Sequence, residues 1–111
     1  MLVFDMSLET LHIEPILDNI KRTHPSLKSK ISEYVDRLVS MIDSYIARHK
    51  NLTDDELVFL GEKLEKVIET SYYVYNELRS RTRYPSVLDR AVSKLRWKRI
   101  QDKVRSSSRK S

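Results

Sequence analysis

The sequence predicts an all-α protein: a small helical bundle built on a long antiparallel helical hairpin, with a basic C-terminal helix. Three observations predict it. Apolar residues recur in alternating steps of three and four over long stretches, the period of a helix face. Only one glycine and three prolines punctuate the 111 residues, too few for a fold made of many turns. Hydrophobic residues make up 40% and charged residues 33%, enough to fill a single core and keep it in solution. One domain over residues 1–105 is expected.

Each element has a local cause. Over 7–23, Leu8, Leu11, Ile16, Leu17 and Ile20 have helical spacing. Pro15 would remove a hydrogen bond from a helix interior, so short helical segments are expected, one starting afresh at Pro15. From 26 to 50, Leu27, Ile31, Tyr34, Leu38, Met41 and Tyr45 form a heptad seam of the coiled-coil kind. Val35, Ile42 and Ile46 widen it into a bundle-facing surface. Arg48, His49 and Lys50 place positive charge at its C-terminus, with Asn51 expected in the left-handed cap conformation and Leu52 folding back.

Thr53 to Glu56 reads as a capping box, the start of a helix over 54–82. Leu57, Leu60, Leu64, Val67, Ser71, Val74 and Leu78 form its seam. Gly61, which costs about 1 kcal/mol relative to alanine inside a helix, is expected where another helix packs closely. A connection of a few residues makes the two long helices antiparallel. Tyr84 and Pro85 break the chain again, and Ser86 is expected to cap a helix over 86–104. The apolar-free end, 106–111, is expected to be a disordered basic tail.

Charge is divided unevenly. Residues 1–78 carry 9 basic and 14 acidic side chains, net −5, whereas 79–111 carry 12 basic and 2 acidic, net +10. A cationic end attracts polyanions, and nucleic acid, DNA or RNA, is the commonest. On the last helix Leu88, Ala91, Val92 and Leu95 form one apolar stripe and Trp97, Ile100 and Val104 a second. Arg90, Lys94, Lys98 and Arg105 form a basic edge between them. The first stripe docks the helix. For the second, packing into the chain's own core is the first expectation, followed by a protein partner anchored by Trp97 and by stacking of Trp97 on a base. Tyr72, Tyr73, Tyr75 and Tyr84 interleave with Arg79, Arg81 and Arg83, a composition suited to phosphates and bases, although core packing explains most of the tyrosines more simply.

Other chemistry is weakly represented. Without cysteine there is no disulfide, thiolate metal site or cysteine nucleophile, and one glycine builds no phosphate-cradling loop. Glu9 and His12 make a single Glu-x-x-His, which lacks the second copy and extra carboxylates of a di-metal bundle. Glu62, Glu65 and Glu69 read as a solvated face, with Glu62 and Lys66 as an ion pair. No catalytic residue, metal site or cofactor is expected, and no small-molecule substrate is evident.

The expected function is therefore non-enzymatic nucleic-acid binding with little sequence specificity, through Arg79, Arg81, Arg83, Arg90, Lys94, Lys98 and Arg105. The alternative is a helical adaptor, an accessory subunit or a homodimer that uses the heptad seams and the Trp97, Ile100 and Val104 stripe. Membrane binding is disfavoured by the short apolar stripe. An intracellular setting is expected, because residues 1–6 are too short and, at Asp5, too acidic for a signal peptide. Few amides and many charges hint at a hot environment.

Overall fold

The computed structural model describes residues 11–49 and 51–110, with side chains through residue 106. These form five helices and, among the described residues, no strand: α1 (Glu14–Arg22), α2 (Lys28–Arg48), α3 (Asp54–Thr70), α4 (Tyr72–Arg81) and α5 (Pro85–Lys110). The all-α bundle is as expected. Residues 7–10 of the first expected segment lie outside the described residues.

Pro15 lies in the first turn of α1, where a missing N–H leaves nothing unpaired. Ile16, Leu17 and Ile20 are buried together with Leu11 and Ile13. Helix α2 starts after the Pro25 turn, at Lys28 rather than residue 26, and leaves Leu27 49% exposed. Its buried face is Ile31, Val35, Leu38, Ile42, Tyr45 and Ile46. Tyr34 and Met41, expected in the seam, pack only at its rim. The core stripe is thus rotated toward Val35, Ile42 and Ile46, on the flank of the heptad seam.

The end of α2 departs from expectation. The left-handed cap expected at Asn51 turns on a φ shared with residue 50, which lies outside the described residues. Among the described residues the closure is made by His49, which leaves the helical conformation at φ −112° and ψ 76°, its N–H reaching the Tyr45 and Ile46 carbonyls at 3.2 and 3.1 Å. The imidazole Nδ1 also lies 2.8 Å from the Tyr45 carbonyl and the ring stacks on Tyr45, so side chain and backbone together close the helix. Leu52 does fold back onto the core. The capping box forms in full: Glu56 N–H donates to Thr53 Oγ1 at 3.2 Å, and Thr53 N–H donates to Glu56 Oε1 at 2.9 Å. That Thr53 N–H holds the Glu56 carboxyl below its usual range.

The single helix expected over 54–82 is two. Ser71 is extended, with φ −166° and ψ 123°, and its hydroxyl accepts the Val74 N–H at 3.4 Å, so it caps α4 instead of filling a seam position. Thr70 and the tyrosine-rich run that follows are indifferent helix formers, and serine competes well for a cap. Because the hydrophobic step continues across the break, Val74 and Leu78 are still buried.

This break changes what packs on what. Helices α2 and α3, the two sides of the expected hairpin, meet only at isolated points such as Tyr45 against Phe59, with ring centroids 6.0 Å apart. Helices α1 and α4 each pack against both of them and join them into one core. The most intimate pair is α3 with α5. Gly61 lies at their closest approach: a Cβ there would fall 2.5 Å from the Ala91 carbonyl oxygen and 2.9 Å from Leu95 Cβ. The glycine is what lets the two backbones come together.

The corner before α5 hangs on Asp43 of α2. Its carboxylate accepts the Thr82 hydroxyl and, at 3.1 Å, the Arg83 N–H, while Thr82 Oγ1 accepts the Tyr84 N–H at 3.1 Å. Helix α5 then begins at Pro85, in place of the expected Ser86 cap, because proline's fixed φ suits a first helical residue. It continues through Lys110, past the expected end at Val104, and the backbone is helical where a disordered tail was expected. Ser111 lies outside the described residues.

Candidate functional site

Helix α5 divides into a docked half and a projecting half. Leu88, Ala91, Val92 and Leu95 are buried, as expected of the first stripe. From Arg96 to Ser106 every residue is exposed. The second stripe does not pack into the core: Trp97, Ile100 and Val104 are 56%, 51% and 60% exposed. The physical reason is reach, since the Gly61 contact holds α5 against α3 through Leu95 and no element among the described residues extends beyond it to cover the next turns. The projecting half contributes to overall extents of 52 × 37 × 25 Å.

The expected basic residues fall into three groups. Arg79 and Arg81 belong to the scaffold. Arg79 makes a two-pronged pair with Asp89, Nε to Oδ1 at 2.9 Å and Nη2 to Oδ2 at 2.7 Å. This hydrogen-bonded pair raises the Arg79 pKa and lowers that of Asp89. Arg81 reaches Asp36 at 2.6 Å and Glu77 at 2.9 Å, and its hydrogen bond to Asp36 raises its pKa. Lys94 forms a second group, half-buried and 3.2 Å from Asp54. Arg83, Arg90, Lys98 and Arg105 form the third: all are exposed and have no carboxylate within 4.0 Å among the described residues.

Two further cations join them. Arg96 and Lys103 are exposed and unpaired among the described residues, whereas Arg99 is held by Glu65 at 2.8 Å. Turning each α5 residue through 100° puts Arg96 and Lys103 on the opposite flank of the Trp97 stripe from Arg90, Lys98 and Arg105. The apolar stripe is therefore bordered by positive charge on both sides. The same wheel would have found this second flank in the sequence.

The tyrosines divide. Tyr75 is buried and Tyr84 half-buried against the core, while Tyr72 and Tyr73 are 68% and 52% exposed. Burial, followed by the charge of Asp89, raises the Tyr75 phenol. Two clefts flank the docked half of α5. One, of about 460 Å³, is lined by Asp54, Leu57, Arg90, Lys94 and Trp97. The other, of about 470 Å³, is lined by Tyr72, Tyr75, Asn76, Arg79 and Arg96. Asp89 and Ser93 border both. A third cavity, of about 520 Å³, lies by the α1–α2 turn and Ser71, away from α5.

The remaining candidates have structural roles or none. Glu9 lies outside the described residues and His12 is exposed. Among the described residues no group of three His, Asp or Glu side chains is arranged to hold a metal ion. Lys66 does not pair with Glu62. It joins Lys63 on Glu14, at 3.1 and 2.6 Å. Burial works against the Glu14 charge, but the bond from Lys63 and its companions prevail and bring the pKa to about 2. No helix among the described residues is long and apolar enough to cross a membrane. No protein-family model, curated protein or solved structure matches the chain.

Proposed function

We propose that the chain is a non-enzymatic nucleic-acid-binding protein that holds the phosphate backbone along α5 with little sequence specificity. The observation that carries the reading is the projecting helix itself, whose Arg90, Arg96, Lys98, Lys103 and Arg105 are exposed and unpaired among the described residues. Arg83, at the corner before α5, adds a sixth. Arg79 supports this surface by fixing Asp89, and both Arg79 and Arg81, held by carboxylates, are set apart from the proposed phosphate ligands. Cations without internal partners keep their field for a polyanion, whereas paired ones largely cancel.

A salt titration tests the reading. If about five phosphates of a duplex are neutralised, log affinity falls against log salt with a slope of about −4 to −5. Replacing Arg90, Lys98 and Arg105 together by alanine reduces that slope by about 2 to 3. Affinity independent of salt, or no binding at low salt, overturns the reading.

A specific observation also favours a second reading, a helical adaptor or accessory subunit: the Trp97, Ile100 and Val104 stripe is bare. Pairing of two α5 helices through this stripe sets cations against cations, so a homodimer of that kind is opposed electrostatically and an acidic partner is favoured. Light scattering of the purified chain reports self-association directly.

A further inference from the structure

We infer that the preferred ligand is a single strand, crossing α5 where its docked half passes into its projecting half, with one base stacked on Trp97 in the first cleft and another on Tyr72 in the second. The inference rests on the nucleic-acid reading and specifies its substrate class. It starts from the placement of the two rings. Each is more than half exposed, each borders a cleft, and the two clefts share Asp89 and Ser93 on α5. They are therefore the two sides of one stretch of helix, about 10 to 12 Å across, a span of a few nucleotides.

The charges suit such a path. Arg90 lines the Trp97 cleft and Arg96 the Tyr72 cleft, so a cation adjoins each ring. The carboxylates on the way are already occupied: Asp89 is clasped by Arg79 and Asp54 by Lys94. A strand passing over them meets neutralised pairs and not bare anions. Asn76, exposed in the Tyr72 cleft, offers both a donor and an acceptor to a base edge.

The choice of single strand follows from what the rings require. A duplex keeps its base faces stacked on one another and presents phosphates outward, so it engages the cations alone. An unpaired strand can turn its bases onto both rings and keep its phosphates near the same cations. Stacking of this kind is worth a factor of about 5 to 150 in affinity per base.

Trp97 is the only tryptophan, so its fluorescence reports the first cleft without a label. The full chain is titrated with three ligands of equal length: oligothymidine, an abasic strand and a duplex. Oligothymidine is expected to bind most tightly and quench Trp97, while the abasic strand binds at least about 5-fold more weakly without quenching. Trp97→Ala and Tyr72→Ala should each weaken oligothymidine binding by about 5-fold or more, leaving abasic-strand affinity, salt slope and helicity unchanged. Equal affinity for all three ligands with unaltered fluorescence overturns the stacking inference while the phosphate reading stands. Failure of all three to bind at low salt removes both. A Trp97 emission shift that depends on protein concentration without nucleic acid assigns the stripe to a second copy and also overturns the inference.

Discussion

Replacing Gly61 by alanine sets two known effects against each other, and the geometry decides the sign. In an isolated helix the substitution gains about 1 kcal/mol, because alanine is the better helix former. Here the new methyl carbon would lie 2.5 Å from the Ala91 carbonyl oxygen, where an ordinary carbon–oxygen contact is about 3.3 Å. That oxygen is backbone and cannot rotate away, so α5 must retreat by about 0.8 Å. A gap of that size forfeits a quarter to a half of each dispersion contact across the interface. Ala91 and Leu95, which meet Gly61 there, are both buried, as are Leu60 and Leu64 on α3 and Leu88 on α5. Overpacking costs about 1 to 3 kcal/mol, and a clash with rigid backbone places this site in the upper part of that range, about 2 to 3 kcal/mol, above the helix gain. A net loss of about 1 to 2 kcal/mol is expected. Urea unfolding followed by circular dichroism measures it, with Glu62→Ala on the exposed side of the same helix as a control near zero. A Gly61→Ala variant as stable as the parent, or more stable, refutes the close approach of α3 and α5.

Three further outcomes follow from contacts described above. The Glu14 pKa falls from 4.5 to about 2 on folding, so its stabilisation is complete above about pH 4.5 and is lost as pH drops toward 2. With the side chain 38% exposed, solvent screening leaves about 1 kcal/mol of this, and the stability gap between the parent and Glu14→Gln should close across that window; a gap constant with pH contradicts the ion pair. Asp43→Ala strips the Thr82 hydroxyl, 8% exposed as a residue, of its acceptor and frees the Arg83 N–H, at a cost of about 1 to 3 kcal/mol in thermal unfolding. No change in melting temperature would mean that the corner is held by something else. Thr53→Ala removes the capping hydroxyl of α3 and should cost about 1 kcal/mol, with Thr53→Ser restoring most of it; an unchanged urea midpoint would remove the cap from the account.

What could be read from the sequence was local. The capping box at Thr53 and Glu56, the restart at Pro15, the two stripes of α5 and the tight packing at Gly61 each depend on residues within a turn or on a single steric fact. The break at Ser71 was hidden because the three-and-four spacing runs straight through it. Hydrophobic period reports which residues are buried, not whether the axis continues, although a serine followed by a tyrosine-rich run was a signal for a cap. The partner of α3 was also beyond reach: a short loop argued for α2, whereas the actual contact is set by the fit of Gly61 to Ala91 and Leu95. The same distance in sequence hid the fate of Arg81, whose Asp36 lies on another helix, though its i, i+4 neighbour Glu77 was in plain view. The bareness of Trp97 is likewise a property of where α5 outruns the bundle, which no pattern within α5 encodes.

The seat at Gly61 also acts as a fulcrum. Beyond Leu95 the helix runs on to Lys110, about 22 Å at 1.5 Å per residue. A tilt of about 10° at that seat carries the far tip about 4 Å, close to the rise of one nucleotide along a duplex strand. Substitutions in the interior therefore have leverage over where Lys103 and Arg105 would meet the proposed ligand without touching it themselves.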